Sequence, residues 1–236
     1  MRLRFTYTID KFPLAYRLLI MALLKETVRK DSESFYQKFF VQEKMRTKDY
    51  SFATYFHNFQ IDGDTILSHQ VSVIVSSDTG TSDFMIHLLN GSRVGQIFKH
   101  NGTSMILTRI EMLKEKSIDR PYAWFNTCSP ILIENKSGKP MTFEDPGFQK
   151  ELNIISNKIL QSNVGRSLFK PLIIEKNQFK KVVIKENFHQ KFNGYLYFTV
   201  NAGRFLLSGD PRDLTYFYKH GIGNRSQYFG LLEKID

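Results

Sequence analysis

Cysteine is almost absent from this chain: Cys128 stands alone among 236 residues. One thiol can neither close a disulfide within the chain nor build a thiolate metal site, and this predicts a reducing, cytoplasmic setting. Histidine is sparse as well. His57, His69, His87, His100, His189 and His220 are scattered, with no pair at metal-ligand spacing, so neither a metal nor another cofactor is expected. Long apolar runs are also missing. Leu18 to Leu24, between Arg17 and Lys25, falls far short of the ~20 residues a membrane span requires, so no membrane association is expected. Acidic side chains are in deficit, with 23 Asp plus Glu against 33 Lys plus Arg, a formal charge of +10. Such an excess favours a polyanionic partner such as nucleic acid.

What the chain does contain is the makings of a core. At 42% hydrophobic residues it can build one large domain or two small ones. Leu3, Phe5, Tyr7 and Ile9 alternate, which predicts a half-buried strand over Arg2 to Ile9. Pro13 is expected to open a helix, with Leu14, Leu18, Met21 and Leu24 as its apolar stripe. Phe52 to Leu67 and Val71 to Val75 read as two strands joined by the turn Asp62-Gly63-Asp64. A helix within Gly80 to Val94 and a strand over Thr103 to Met112 complete a β-α-β-β-α-β order.

A charged connector, Lys114 to Arg120, follows, and the same order then repeats without a visible sequence repeat. Its members are a strand over Tyr122 to Ile133, a helix over Pro146 to Gln161, strands over Leu172 to Lys185 and Gly194 to Leu207, a helix over Pro211 to Lys219 and a strand over Tyr228 to Ile235. The expected fold is therefore α+β, two tandem ferredoxin-like domains spanning 1–115 and 121–236. The groove between them is expected to carry Lys and Arg.

Two segments point to phosphate. Gly221-Ile222-Gly223-Asn224-Arg225-Ser226-Gln227-Tyr228-Phe229-Gly230 can turn backbone amides toward an anion, with Lys219, His220 and Arg225 as further donors. A helix end followed by a tight turn would use such glycines equally well. The second segment is a basic cluster, Arg166, Lys170, Lys176, Lys180, Lys181 and Lys185, on and before the predicted strand pair.

Four stretches in order along the chain resemble the CRISPR-associated endoribonuclease family that cuts repeat RNA into guide RNAs, the sixth of the numbered Cas proteins. They are the opening strand with Pro13-Leu14-Ala15-Tyr16, the run Lys48-Asp49-Tyr50-Ser51-Phe52-Ala53, the segment Thr127-Cys128-Ser129-Pro130-Ile131, and Phe192 to Gly230 with its terminal glycine-rich loop. The loop departs from the family pattern, because it is a residue shorter and Tyr228 stands where a terminal Gly-Phe-Gly has its first glycine.

The resemblance implies metal-independent cleavage, in which the 2′-hydroxyl attacks the adjacent phosphate and leaves a 2′,3′-cyclic phosphate. That chemistry needs a base, cations for the phosphorane and an acid for the leaving oxygen. The family's usual histidine precedes the lysine-aromatic run; Gln42 stands near that place, and no histidine occurs before His57. The resemblance then implies Lys48 as phosphorane stabiliser, Tyr36 as a proton-transfer or orienting group and Lys25 as a second cation, with Lys44 and Arg46 nearby.

It further implies that Gly221, Gly223, Asn224, Arg225, Ser226 and His220 grip the RNA backbone, while Arg166, Lys180 and Lys181 meet phosphates at the base of the repeat stem. His57 is either a displaced base or, the preferred reading, a structural histidine in its strand. The implied partners are CRISPR repeat RNA and further subunits of a CRISPR ribonucleoprotein; dimerisation is left open. The missing histidine supports an alternative, a catalytically inactive subunit that binds repeat RNA.

Overall fold

The computed structural model describes residues 1–43, 47–78, 80, 83–187 and 194–235. Two antiparallel sheets organise it. The first holds β1 (Arg2–Thr8), β2 (Tyr50–His57), β3 (Gln70–Ser77), β4 (Ile97–His100) and β5 (Thr103–Met112) in the order β2-β3-β1-β5-β4. Helices α1 (Arg17–Asp31) and α2 (Phe84–Asn90) supply its helical layer. The second sheet holds β6 (Tyr122–Thr127), β7 (Ile173–Glu186), β8 (Leu196–Ser208) and β9 (Leu232–Lys234) in the order β7-β8-β6-β9, with α3 (Phe148–Val164) and α4 (Pro211–His220). Without β4, the strand at the end of the order beside β5, both sheets share the order second, third, first, fourth strand. This is the order of tandem ferredoxin-like units in an α+β fold.

Local chemistry explains the helix ends. α1 buries Leu19, Ile20, Leu23, Leu24 and Val28 along one side and carries Arg29 and Lys30 in its last turn, where cations suit the helix dipole. Ser32 leaves the helix in an extended conformation, and its hydroxyl caps the next turn by accepting from the amide of Phe35 at 3.2 Å. That turn, Glu33–Tyr36, runs into a π-helical segment, Gln37–Gln42. Asp210 caps α4 by accepting from the amide of Arg212 at 3.0 Å, and Pro211 takes the first helical position.

Several elements depart from expectation. Pro13 closes a short strand, Lys11–Pro13, and α1 begins four residues later, at Arg17. Backbone pairing decides this, because Lys11–Pro13 joins a three-stranded ribbon with Thr65–Leu67 and Gln60–Asp62, and the amide of Leu14 donates to the carbonyl of Asp64 at 2.8 Å. Asp62-Gly63-Asp64 accordingly turns within that ribbon and does not join β2 directly to β3. The strand expected over Tyr122 to Ile133 stops at Thr127, before Ser129-Pro130, and the last strand shrinks to Leu232–Lys234 because Tyr228 and Phe229 belong to the preceding turns.

Two buried arginines join the halves. Arg2, 1% exposed, meets Glu233 at 2.6 Å and donates to the carbonyl of Tyr218 at 3.2 Å. Arg17, at the start of α1, meets Glu186, at the end of β7, at 2.6 Å. Lys219 of α4 reaches Asp78, just past β3, at 3.2 Å. No helix among the described residues is long and apolar enough to cross a membrane.

Candidate nucleic-acid interface

The loop after α4 is built as a tight, internally bonded turn. Ile222 donates to the carbonyl of Gly230 at 3.0 Å, Gly230 to that of Pro130 at 2.8 Å, and Asn224 to that of Leu132 at 2.8 Å. The side-chain oxygen of Asn224 accepts from the amide of Glu134 at 2.7 Å. Gly223 and Gly230 have φ of 95° and 75°. A Cβ on the first would lie 2.5 Å from the Leu132 oxygen, and one on the second 1.8 Å from the Ile222 oxygen. Only glycine fits such approaches. Among the described residues, the amides of Gly223, Ser226 and Gln227 make no hydrogen bond.

Those residues line a cavity of about 600 Å³, together with Lys136, Lys158 and Arg225 as cations and Glu134 and Glu151 as anions. Arg225 is held 3.7 Å from Glu134 with its guanidinium 5.3 Å from the Phe198 ring. Sequence reading missed Lys158 and Lys136. Lys158 lies four residues beyond Ile154 and seven beyond Glu151 on α3, a spacing that puts all three on one helix side. Lys136 stands in a turn with no periodic signal.

A second cavity of about 680 Å³ adjoins the first, and Leu18 and Tyr228 line both. Its walls carry Lys11, Lys25, His100, Asp64, Asn187 and Tyr195. Lys25 is half-buried, and burial holds its ammonium pKa below the ordinary lysine value. His100 was only one scattered histidine in the sequence; pairing of β4 with β5 carries it to the site.

The three side chains expected to act in catalysis meet around Phe40. Lys25 Nζ is 5.4 Å and Lys48 Nζ 5.9 Å from its ring centroid, and the Tyr36 ring lies 5.6 Å away. They are placed very differently, however. Lys48 is 8% exposed, and its ammonium donates to the carbonyls of Phe39 and Glu43, the latter at 2.8 Å. It therefore caps carbonyls at the end of the π-helical segment, as a cation at a helix C-terminus does. Tyr36 sits with Arg29 near its ring and lines neither cavity. Gln42 is exposed at the end of that segment, while Lys44, Arg46 and His189 lie outside the described residues.

The remaining expectations divide. His220 is 2% exposed, with Nδ1 donating to the carbonyl of Tyr216 at 2.8 Å, so its ring faces the interior and not a bound phosphate. Burial lowers its pKa. Ser226 is also largely buried, although it lines the first cavity. Arg166 is engaged by the buried Asp213 at 2.6 Å and by the carbonyl of Ser167 at 2.9 Å. Lys181 pairs with Glu144, and Lys180 is exposed on β7; neither they nor Arg166 line the two cavities.

A third cavity of about 610 Å³ lies between the halves, lined by Arg4, Arg109, Glu111, His57, Asn126 and Cys128 among others. Both arginines are within ion-pair distance of Glu111, at 3.8 and 2.9 Å. His57 Nε2 is 3.0 Å from Ser72 Oγ, which places the ring here and away from Lys25. Burial pushes the Cys128 thiol up to about 11. Among the described residues, no three His, Cys, Asp or Glu side chains group as a metal site.

Comparison with known proteins follows the same lines. No curated protein matches the chain. Solved structures do: one described as an RAMP protein binding different RNA substrates shares 18% identity and a TM-score of 0.80 over 100% of both chains. A Cas6-related protein from Pyrococcus furiosus shares 16% identity over 100% of this chain and 98% of that one, with a TM-score of 0.76. A Cas6 product complex shares 15% identity over 99% of each, with a TM-score of 0.66. At such identities these likenesses establish the fold. The family model described as CRISPR associated protein Cas6, C-terminal, matches residues 113–234, more than half the chain and including the whole glycine-rich turn, so this chain belongs to the Cas6 family of CRISPR-associated proteins.

Proposed function

We propose that this chain, with 1–115 and 121–236 as its two domains, binds CRISPR repeat RNA and cleaves it by 2′-hydroxyl attack to give guide RNAs with 2′,3′-cyclic phosphate ends. The observation that carries the reading is the pair of adjoining cavities separated by Leu18 and Tyr228. One offers unbonded amides of the glycine-rich turn with Arg225, Lys136 and Lys158, a set that suits backbone phosphates. The other offers the half-buried cation Lys25. In a desolvated pocket an ammonium stabilises developing phosphorane charge far more than it would in water. Lys25 is the cation assigned to the phosphorane, and Lys48 supports it from behind by fixing the turn that carries Phe40.

The test is incubation of purified protein with a panel of CRISPR repeat RNAs in excess EDTA. The expected product carries a 2′,3′-cyclic phosphate, is blocked by a 2′-deoxy substitution at the cut site, and is lost with Lys25→Ala. A catalytically inactive subunit is the second reading, favoured by Gln42 near the place of the family's usual histidine. It predicts tight binding on the same panel with no cyclic phosphate.

A further inference from the structure

We infer that His100 is the general base of this site, a role that rests on the cleavage reading above. β4 and β5 form a hairpin whose turn, Asn101-Gly102, has φ of 46° and 76°, the positive pair that a two-residue hairpin favours. His100 is the last residue of β4, two positions after the buried Phe98, so strand alternation points both to the same face of the sheet. Their rings lie 6.0 Å apart and nearly parallel, at 14°. Phe98 anchors the strand, and His100 comes out half-buried on the wall of the 680 Å³ cavity.

α1 supplies another part of that cavity through Leu18, Met21, Ala22 and Lys25, a single helical face at spacings of three and four. His100 and Lys25 thus line one cavity from two different elements. Among the described residues the His100 ring makes no hydrogen bond or ion pair, so no described residue occupies its nitrogens. The other titratable groups of the cavity are Lys11, Asp64, Tyr195 and Tyr228. Asp64 is held by Lys185 at 2.6 Å, which leaves the local balance positive and suited to a phosphodiester.

The step balances with these two groups. An unprotonated nitrogen of His100 takes the proton of the 2′-hydroxyl as the O2′–P bond forms. The P–O5′ bond then breaks, and the ammonium of Lys25 gives a proton to the departing O5′. Water returns the proton from imidazolium to amine, so no metal, oxidant or other co-reactant is consumed.

Single-turnover cleavage of CRISPR repeat RNAs in EDTA tests the assignment, using parent protein, His100→Ala, His100→Gln and His57→Ala. Both His100 variants should cleave ~10² to 10⁴-fold more slowly, with thermal unfolding and RNA affinity close to the parent, and should lose the acid limb of the pH–rate profile. Free imidazole should restore part of the His100→Ala rate, and His57→Ala should match the parent. A substrate with sulfur in place of O5′ should restore part of the Lys25→Ala rate and none of the His100→Ala rate, because a thiolate leaves without a proton while the phosphorane still needs its cation. Parental rates in both His100 variants, or a loss fully matched by lost affinity, would overturn the role of His100 while leaving the cleavage reading in place. A parent protein that makes no cyclic phosphate on any repeat would overturn both.

Discussion

His220 shows how solvation, more than residue type, limits what a side chain can do. Its Nδ1 donates to the carbonyl of Tyr216, and a carbonyl only accepts, so the proton of the neutral ring sits on Nδ1, and Nε2 has no partner among the described residues. Burial dominates the downward shift of its pKa from the ordinary value of 6.5; the bond to Tyr216 and the charges of Asp49 and Asp78 oppose that shift, while Lys219 reinforces it. Below that ordinary value the unfolded chain binds a proton that the folded chain refuses. The stability from a neutral His220 is therefore fully present above pH 6.5 and lost as pH falls toward the lowered folded value, by at most ~1.4 kcal/mol per pH unit. His220→Phe should flatten the slope of unfolding free energy between neutral and mildly acidic pH relative to the parent. Parallel slopes in urea titrations would show that His220 does not bind its proton differently in the two states. Lys48 is the complementary case, a charge kept inside because two carbonyls replace its water.

The glycine-rich turn separates two roles that its sequence blends. Gly223 and Gly230 serve close backbone approaches, whereas Arg225 presents its side chain to the cavity. Gly230→Ala must push a methyl group against the Ile222 carbonyl in a left-handed conformation, which should destabilise the protein by several kcal/mol, the range of severe strain or overpacking. Arg225→Ala should leave the midpoint of thermal unfolding within a degree or two and weaken RNA binding, with a shallower dependence of log affinity on log salt by about 0.7 per lost single-strand phosphate contact. An unchanged salt slope would return Arg225 to a structural role beside Glu134 and Phe198. The β7–β8 hairpin differs from the turn: the lysines of β7 project from a strand pair, and Lys185 is drawn toward the second cavity through Asp64 and the Tyr195 ring at 3.8 Å.

Across the whole molecule, the site depends on how the halves are docked. Arg17 pairs with Glu186 across the junction and lies 4.9 Å from the ring of Phe229, so one guanidinium ties α1, the end of β7 and the glycine-rich turn together. Glu186 is fully buried, with no partner for Oε2 among the described residues, and burial raises its pKa despite Arg17. Removing one partner leaves an uncompensated buried charge, a loss of ~3–5 kcal/mol, whereas replacing both with apolar groups of similar volume is often neutral. Arg17→Met should therefore cost much of the protein's stability and the proposed RNA cleavage, and Arg17→Met with Glu186→Leu should recover the stability. A double variant no better than the single one would show that the pair does not act as a unit.

The order of elements was legible in the sequence because it is written in local periodicity. Alternation at Leu3, Phe5 and Tyr7, the uninterrupted run from Thr103 to Met112, and Pro211 at the start of α4 are each readable within a few residues. The glycine-rich turn was equally visible, since positive φ leaves a compositional mark. What periodicity cannot carry is pairing between distant segments. Lys11–Pro13 became a strand because Thr65–Leu67 lay beside it, which displaced the start of α1 to Arg17. Arg166 was spent on Asp213 and His220 on the interior because neighbours 47 and four residues away claimed them. Lys25 and His100, 75 positions apart, border one cavity only through the sheet and the helix packed on it. Residue types and local order are properties of the chain, whereas desolvation and convergence are properties of its packing, and the proposed proton transfer needs both.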